Sequence, residues 1–381
     1  MAKRKEIGLI YSYNENWIGG TYYISNLIRA LQRVEEIRKP HIHIISNTRE
    51  EYDQLVEATG YPYTSYLEMP KKLSFSKRGI NKFSRRLLGK PLFELGLRVR
   101  FPVFPISYVD RLFKRSSRVI YWIPDFQEHY LSKMFPPEDI KARVDWQRAI
   151  SGEKGYVLFS SEDAKSDFNR LYPGAVVTQF VVPFAVSHPE YKHLDLCALK
   201  GKYDIEGDYF FSPNQFWAHK NHLLILTAVR ILKDQGNEIK VVFSGKEFDY
   251  RAPDYTQMLK SYIKEQDIEE NVRFVGFIDR KEQLKLMQGS IAVIQPSRCE
   301  GWSTVVEDAK AMGQYVLASN LAVHKEQLTE NAAFFDPDDA AGLASLLLAT
   351  ARMRPEISHT DYTRQVTGFA DLFLKMVDSV H

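Results

Sequence analysis

The sequence predicts an α/β protein built from two open parallel-sheet domains in tandem. Three observations carry this prediction. The chain opens with a short apolar strand, a glycine-bearing loop, an amphipathic helix and a second strand. A second array of short strands alternating with helices starts near residue 208. The length of 381 residues is too great for one compact core of ordinary size and suits two. Apolar residues make up 44% and charged residues 26%, which excludes disordered and collagen-like readings of the whole chain.

The elements follow in order. Residues 7–11 (Ile-Gly-Leu-Ile-Tyr) form a buried strand, and the loop after it ends in Gly19-Gly20. A helix runs from about residue 21 to 34, with Ile24, Leu27, Ile28 and Leu31 on one face. Residues 41–46 give the second strand, completing the opening of a doubly wound domain. Residues 119–123 and 155–159 are further strands. Ser160 to Asp163 is a polar start to a helix over 164–171. Residues 187–207 are polar, without a clear period, and read as a linker. The second array places strands at 209–212, 239–244, 272–275, 291–295 and 315–318, and helices at 222–235, 255–267, 280–288 and 304–312. The last helix, 369–377, carries Phe369, Leu372, Phe373, Met376 and Val377 at 3/4 spacing and needs an apolar partner. The chain thus divides into a first domain (1–186), a linker (187–207), a second domain (208–360) and a C-terminal helix (361–381).

Two cysteines, Cys197 and Cys299, argue against a disulfide framework or a cysteine-based zinc site and fit a reducing compartment. The basic N-terminus precedes an apolar run too short for a signal peptide, and residues 342–351 are about half of a membrane span. The expectation is a cytoplasmic protein without a transmembrane helix. The net charge of +3 is unevenly placed: residues 71–118 carry 14 Lys/Arg against only Glu94 and Asp110. Leu73, Phe75, Phe83 and Leu87 interleave with these charges. Such a segment suits an anionic membrane, a polyanion or a phosphorylated substrate. A solvated face over an ordinary core is the alternative reading.

The chemistry concentrates in residues 296–313, Pro-Ser-Arg-Cys-Glu-Gly-Trp-Ser-Thr-Val-Val-Glu-Asp-Ala-Lys-Ala-Met-Gly. A strand ends, a small-residue loop follows, and a helix begins near Thr304. The free N–H groups of a helix start make a phosphate site. Glu300 precedes this loop and Asp308 lies one turn into the helix, so both carboxylates face one cleft, and a carboxylate accepts from paired sugar hydroxyls. An acidic first turn that merely complements the helix dipole is the alternative.

The run Glu300-Gly301-Trp302-Ser303-Thr304 to Gly313 resembles the Glu-x7-Glu signature of the retaining GT-B glycosyltransferases, specifically glycosyltransferase family 4. Asp308 stands where the second glutamate is usual. Gly19-Gly20 is similar to the family's first-domain glycine loop. Asn214 to Asn221 is similar to the loop with a phosphate-binding lysine, residues 272–278 to the strand and turn near the base, and Phe334 to Asp339 to a common late segment. The resemblance implies the GT-B form of the α/β class: two Rossmann-like domains, the first on the acceptor side and the second binding the nucleotide-sugar, face a cleft and the C-terminal helix crosses back to the first. It implies a nucleotide-diphosphate sugar as donor substrate, a carbohydrate or lipid-linked acceptor, no metal and no cofactor. It also implies an envelope-polysaccharide or glycolipid role at the inner face of a membrane. Nucleic acid is not implied as a partner.

Carried over residue by residue, Glu300 resembles the glutamate at the transferred sugar, and Asp308 the residue holding the ribose. Gly301 and the backbone of Trp302, Ser303 and Thr304 would take the diphosphate, and Lys220 would neutralise it on departure. Gln215 occupies the place of a usual arginine, so His219, another basic residue or a partner would supply the second charge, or turnover would rely more on Lys220. Gly276, Phe277 and Ile278 are the base contacts; Gly19, Gly20 and Ser244 complete the donor set. In the first domain Asp125 and His129 are expected to orient hydroxyls, with Pro124 where relatives carry a His. Asp336-x-Asp338 reads as a turn rather than a metal site, with Asp339 capping the next helix. A non-catalytic polyanion-binding module and a GT-B epimerase or phosphorylase are the rival readings. The pairing of Lys220 with Glu300 and Asp308 sets transfer apart from the first, and nothing marks a pyridoxal lysine for the phosphorylase.

Overall fold

The computed structural model describes residues 4–15, 18–69, 80, 82–84, 86, 99–106 and 118–380. Most of the basic segment 71–118 therefore lies outside the described residues. The first domain contains β1 (Glu6–Ile10), β2 (His41–Ser46), β3 (Thr64–Glu68), β4 (Val103–Ile106), β5 (Val119–Ile123), β6 (Tyr156–Phe159) and β7 (Thr178–Val181). They form one sheet in the order β3-β2-β1-β4-β5-β6-β7. The second domain contains β8 (Phe210–Ser212), β9 (Val241–Phe243), β10 (Val272–Phe274), β11 (Val293–Gln295), β12 (Val316–Ser319) and β13 (Ala332–Phe335), ordered β10-β9-β8-β11-β12-β13. Every pairing in both sheets is parallel. Helices cover both faces of such sheets, so the central strands are buried runs: β8, β9, β11 and β12 are buried at every position.

Each sheet winds outward from a central strand in both directions, β1 beside β4 and β8 beside β11. Crevices open at the carboxyl ends of strands at such switch points. The glycine loop follows β1, the Asp125 loop follows β5, the Lys220 loop follows β8 and the Glu300 loop follows β11. One topology therefore delivers all four loops to one place.

The linker reading needs correction. Residues Leu196–Lys202 form a helix N-capped by Asp195, whose carboxylate accepts from the Cys197 N–H at 2.8 Å. Leu196 packs so tightly on Gly289 that a Cβ there would stand 2.5 Å from its methyl carbon, and Leu199 and Ile205 join the second core. A seven-residue helix is too short to show a period. The C-terminal helix is longer than its apolar pattern indicates, Thr363–Val380. Val366, Phe369, Ala370, Phe373 and Val377 enter the core of the first domain, with Phe369 edge-on to Tyr23 and Phe373 edge-on to Phe104. The final helix thus crosses back, as the resemblance implies.

The apolar stretch near the end of the second domain is the Ala340–Arg352 helix, N-capped by Asp339 and packed through Leu343, Ala344 and Leu347. No helix among the described residues is long and apolar enough to cross a membrane.

Phe373 is fully buried in the first-domain core although it follows the second domain in the chain. Phe373→Ala is expected to cost about 3–5 kcal/mol. Urea unfolding monitored by tryptophan fluorescence should show a lowered midpoint, and an unchanged midpoint would mean the helix contributes nothing to that core.

Candidate active site in the interdomain cleft

The cleft between the domains is lined from the first domain by Gly19, Gly20, Tyr22 and Pro124-Asp125, and from the second by Gln215, Lys220, Phe277, Ile278, Arg280 and the loop 300–305. It encloses about 180 Å³.

At its floor stands a buried ion pair. Lys220 Nζ lies 2.6 Å from Glu300 Oε1, which also accepts from Ser297 Oγ at 2.6 Å and Gln295 Nε2 at 2.7 Å. Burial pushes the Glu300 carboxyl up; Lys220, nearby His324 and the Ser297 hydroxyl together outweigh it and hold it below the usual range. The Lys220 loop is fixed by Asn221, which adopts a left-handed backbone (φ 58°). Its side-chain amide donates to the carbonyls of Pro296 (3.2 Å) and Pro337 (2.8 Å). Arg298 N–H donates to the His219 carbonyl at 2.9 Å, joining the two loops directly.

Asp308 is buried one turn into the Thr304–Met312 helix and faces the same cleft. Its Oδ1 receives His188 Nε2 at 3.1 Å and a close contact from the Arg280 guanidinium, which itself lies over the Tyr22 ring at 4.9 Å. Burial raises the Asp308 carboxyl, but Arg280 and His188 outweigh it and keep it below its ordinary value.

The two domains meet at Gly301. A Cβ there would stand 1.8 Å from the Pro124 carbonyl oxygen, so only glycine permits the approach. Gly19 faces Thr304 across the cleft, and the Gln215 amide donates to the Glu15 carbonyl at 2.6 Å. Asp125 is raised by burial, against Arg143, and lines the cleft.

The structure does not bring every expected residue to the cleft. His129 is not among the lining residues; it lies 3.8 Å from Glu128 and beside Phe126. Ser244 and Gly276 also stand outside the lining: Ser244 Oγ accepts from Gln283, and Gly276 turns the chain with φ 72°. Ser303 N–H, expected to meet a diphosphate, donates to Gln327 Oε1 at 3.1 Å, and the Ser303 hydroxyl caps the helix by accepting from Val306 N–H. His219 cannot replace the missing arginine as a cation. Burial first, then Lys220 and Arg251, drive its pKa well below the ordinary value, so it is neutral. Among the described residues the cationic side chains lining the cleft are Lys220 and Arg280.

Sequence reasoning missed Arg280, His188, Ser297 and Gln295. Arg280 left a signal: a basic residue placed directly after the Phe277-Ile278 turn, at a helix start capped by Asp279. His188 left none, because it reaches Asp308 across 120 residues.

The architecture is GT-B: two parallel-sheet domains, a cleft at the switch points and a returning helix. Residues 200–357 match the family model of the glycosyl transferases group 1. That match spans the second domain. Among curated proteins the chain is similar to the O-antigen chain mannosyltransferase RfbU of Salmonella typhimurium, 24% identical over 151 residues. That match spans 40% of each chain. Among solved structures a glycosyltransferase from Rickettsia africae superposes with a TM-score of 0.68 at 16% identity, covering 100% of this chain and 99% of that one. Anabaena HepE in complex with UDP-glucose superposes at 0.61 and 14% identity, covering 99% and 97%.

The Asp308 pairing sets a pH dependence. The folded-state pKa is depressed, so the stabilisation is fully present above the unfolded value of about 3.9 and is lost as pH falls through the lower folded value. The stability gap between wild type and Asp308→Asn should hold from neutral pH to about pH 4 and close below it. Denaturant titrations across that range check this; a gap that vanishes at higher pH contradicts it.

Proposed function

We propose that this chain is a retaining, metal-independent glycosyltransferase. It moves a sugar from a nucleotide-diphosphate donor to an acceptor hydroxyl in the assembly of an envelope polysaccharide or glycolipid. The observation that carries the proposal is the Lys220–Glu300 pair, held at 2.6 Å beside the first turn of the Thr304–Met312 helix in the cleft. As the sugar–phosphate bond breaks, negative charge collects on the departing diphosphate. The Lys220 ammonium and the helix N–H groups meet that charge, and they act most strongly in the transition state. Asp308 takes the ribose hydroxyls, with Arg280 and His188 fixing its carboxylate. Phe277 and Ile278 face the base.

The acceptor hydroxyl reacts on the same face from which the diphosphate departs, and a phosphate oxygen receives its proton. Configuration at the anomeric carbon is thereby retained. Asp125, raised by burial against the influence of Arg143, holds its proton to higher pH than an ordinary carboxyl and is suited to orient a hydroxyl. The name of the Salmonella relative supports a saccharide of the cell envelope as acceptor and puts mannose among the sugars to test.

Purified protein assayed against a panel of UDP- and GDP-sugars should hydrolyse or transfer from at least one of them, unaffected by EDTA. Lys220→Ala and Glu300→Gln should each lower turnover by about 10²-fold or more. Near-normal turnover of both folded variants sinks the assignment, and an inverted anomer seen by NMR sinks retention.

The basic segment 71–118 supports a peripheral position at an anionic membrane, since each Lys or Arg near such a surface contributes about 1 kcal/mol. Binding to anionic vesicles that high salt reverses, with little binding to neutral ones, is the expected result. Equal binding to both, or to neither, removes the membrane from the proposal.

A further inference from the structure

Beside the donor cleft the second domain carries an aromatic pocket that the mechanism above does not use. It encloses about 190 Å³ and is lined by Gln215, Trp217, Lys246, Phe248 and Tyr250. Gln215 and Trp217 line the interdomain cleft as well, so the two spaces adjoin at these residues. Phe248 is 49% exposed and Tyr250 58%. Large apolar rings held open at a cleft mouth mark a binding surface more often than chance exposure.

The segment that carries the rings is anchored through its polar residues. Between the rings Asp249 is buried, and its Oδ2 accepts from the Ala218 N–H at 3.0 Å. Its Oδ1 accepts from Arg251 N–H at 3.0 Å and Arg251 Nε at 3.1 Å. The Arg251 guanidinium lies 5.2 Å from the Trp217 ring and 5.7 Å from that of Tyr250. Arg251 also stands 3.2 Å from His219 Nδ1. The aromatic segment is thus built onto the loop that carries Lys220.

We propose that Trp217, Phe248 and Tyr250 form a saccharide subsite at the cleft mouth, which holds a pyranose unit of the acceptor. The proposal rests on the glycosyl-transfer reading of the cleft. A pyranose presents a flat face of C–H groups and a rim of hydroxyls. Aromatic rings match the face; of the polar lining groups, the Gln215 amide N–H already donates to the Glu15 carbonyl and the Tyr250 hydroxyl stands 3.4 Å from Asp139 Oδ2, so the rings carry the fit. A neutral ring fits better than an anion. Lys246 is already 3.6 Å from the Glu15 carboxylate, so the pocket offers no uncompensated positive charge. The position is also right for an acceptor, since Trp217 connects the pocket to the cleft in which Lys220 and Glu300 stand.

The test compares wild type, Phe248→Ala/Tyr250→Ala and Tyr250→Phe. Each is applied to an array of neutral mannose and glucose oligosaccharides and titrated calorimetrically with UDP and GDP. Wild type and Tyr250→Phe should bind oligosaccharides. The double variant should lose about tenfold or more in that affinity while its nucleotide affinity stays within about twofold. No oligosaccharide binding by wild type, or undiminished binding by the double variant, overturns the subsite. Lost nucleotide affinity in the double variant also overturns it, because the rings would then be stacking a base. Should no protein bind nucleotide while oligosaccharide binding follows the expected pattern, the subsite stands and the transfer reading falls.

Discussion

The cleft surface of the second domain depends on the buried ion pair between Lys220 and Glu300. Two charges taken out of water cost several kcal/mol each unless they are paired and their remaining valences are met. Here Glu300 meets one ammonium, one hydroxyl and one amide, and Lys220 is only 15% exposed. Because the partners follow β8 and β11, the pair ties together the two strands at the switch point. Asn221 extends the same knot to the loops at residues 296 and 337. An uncompensated charge at this floor would cost more than most single core contacts.

The seam between the domains has a different character. Beside the close approach of Pro124 to Gly301, Trp302 and Ala311 pack on the first-domain core and Arg280 lies over the Tyr22 ring, with separate polar contacts around the cleft. The Trp302 indole donates to the Phe184 carbonyl at 3.0 Å. The Glu326 carboxylate accepts from the Glu162 and Asp163 N–H groups at the start of a first-domain helix. Such contacts contribute about 0.5–1.5 kcal/mol each, a scale at which a bound ligand can shift opening and closure. The C-terminal helix is the opposite case, an apolar seam that stays joined to the first domain. Tyr362 marks the crossing, since its hydroxyl accepts from Val186 N–H and contacts Glu307. The chain passes between domains near these residues, and this one tyrosine touches both.

What could be read from the sequence was what local physics settles. Buried parallel strands are short apolar runs, so β2, β5 and β6 were legible nearly to the residue, as were β8 to β12. Helix starts were legible where a capping side chain sits in the chain, as at Ser161 and Asp339. The Arg49–Thr59 helix was overlooked although Thr48 and Glu51 form a complete capping box ahead of it. β3, β4, β7 and β13 were also overlooked; β3 is half-buried along most of its length and has no continuous apolar run.

By itself the sequence determined two parallel-sheet domains, the order of their loops, and a glutamate and an aspartate beside one helix start, while the lysine was placed only by the family resemblance. It did so because a strand's apolar run, a helix's period and a loop's place after a strand are all written in neighbouring residues. Only the tertiary structure decided which groups those three would meet. Arg280 and His188 on Asp308, the Pro124 carbonyl against Gly301, and Gln327 on Ser303 are contacts between segments distant in the chain. The same holds for the neutrality of His219: the sequence shows a histidine beside a lysine, and burial together with Arg251 removes its charge. Distances and desolvation between remote segments have no local spacing, so they arise only when the sheets are assembled.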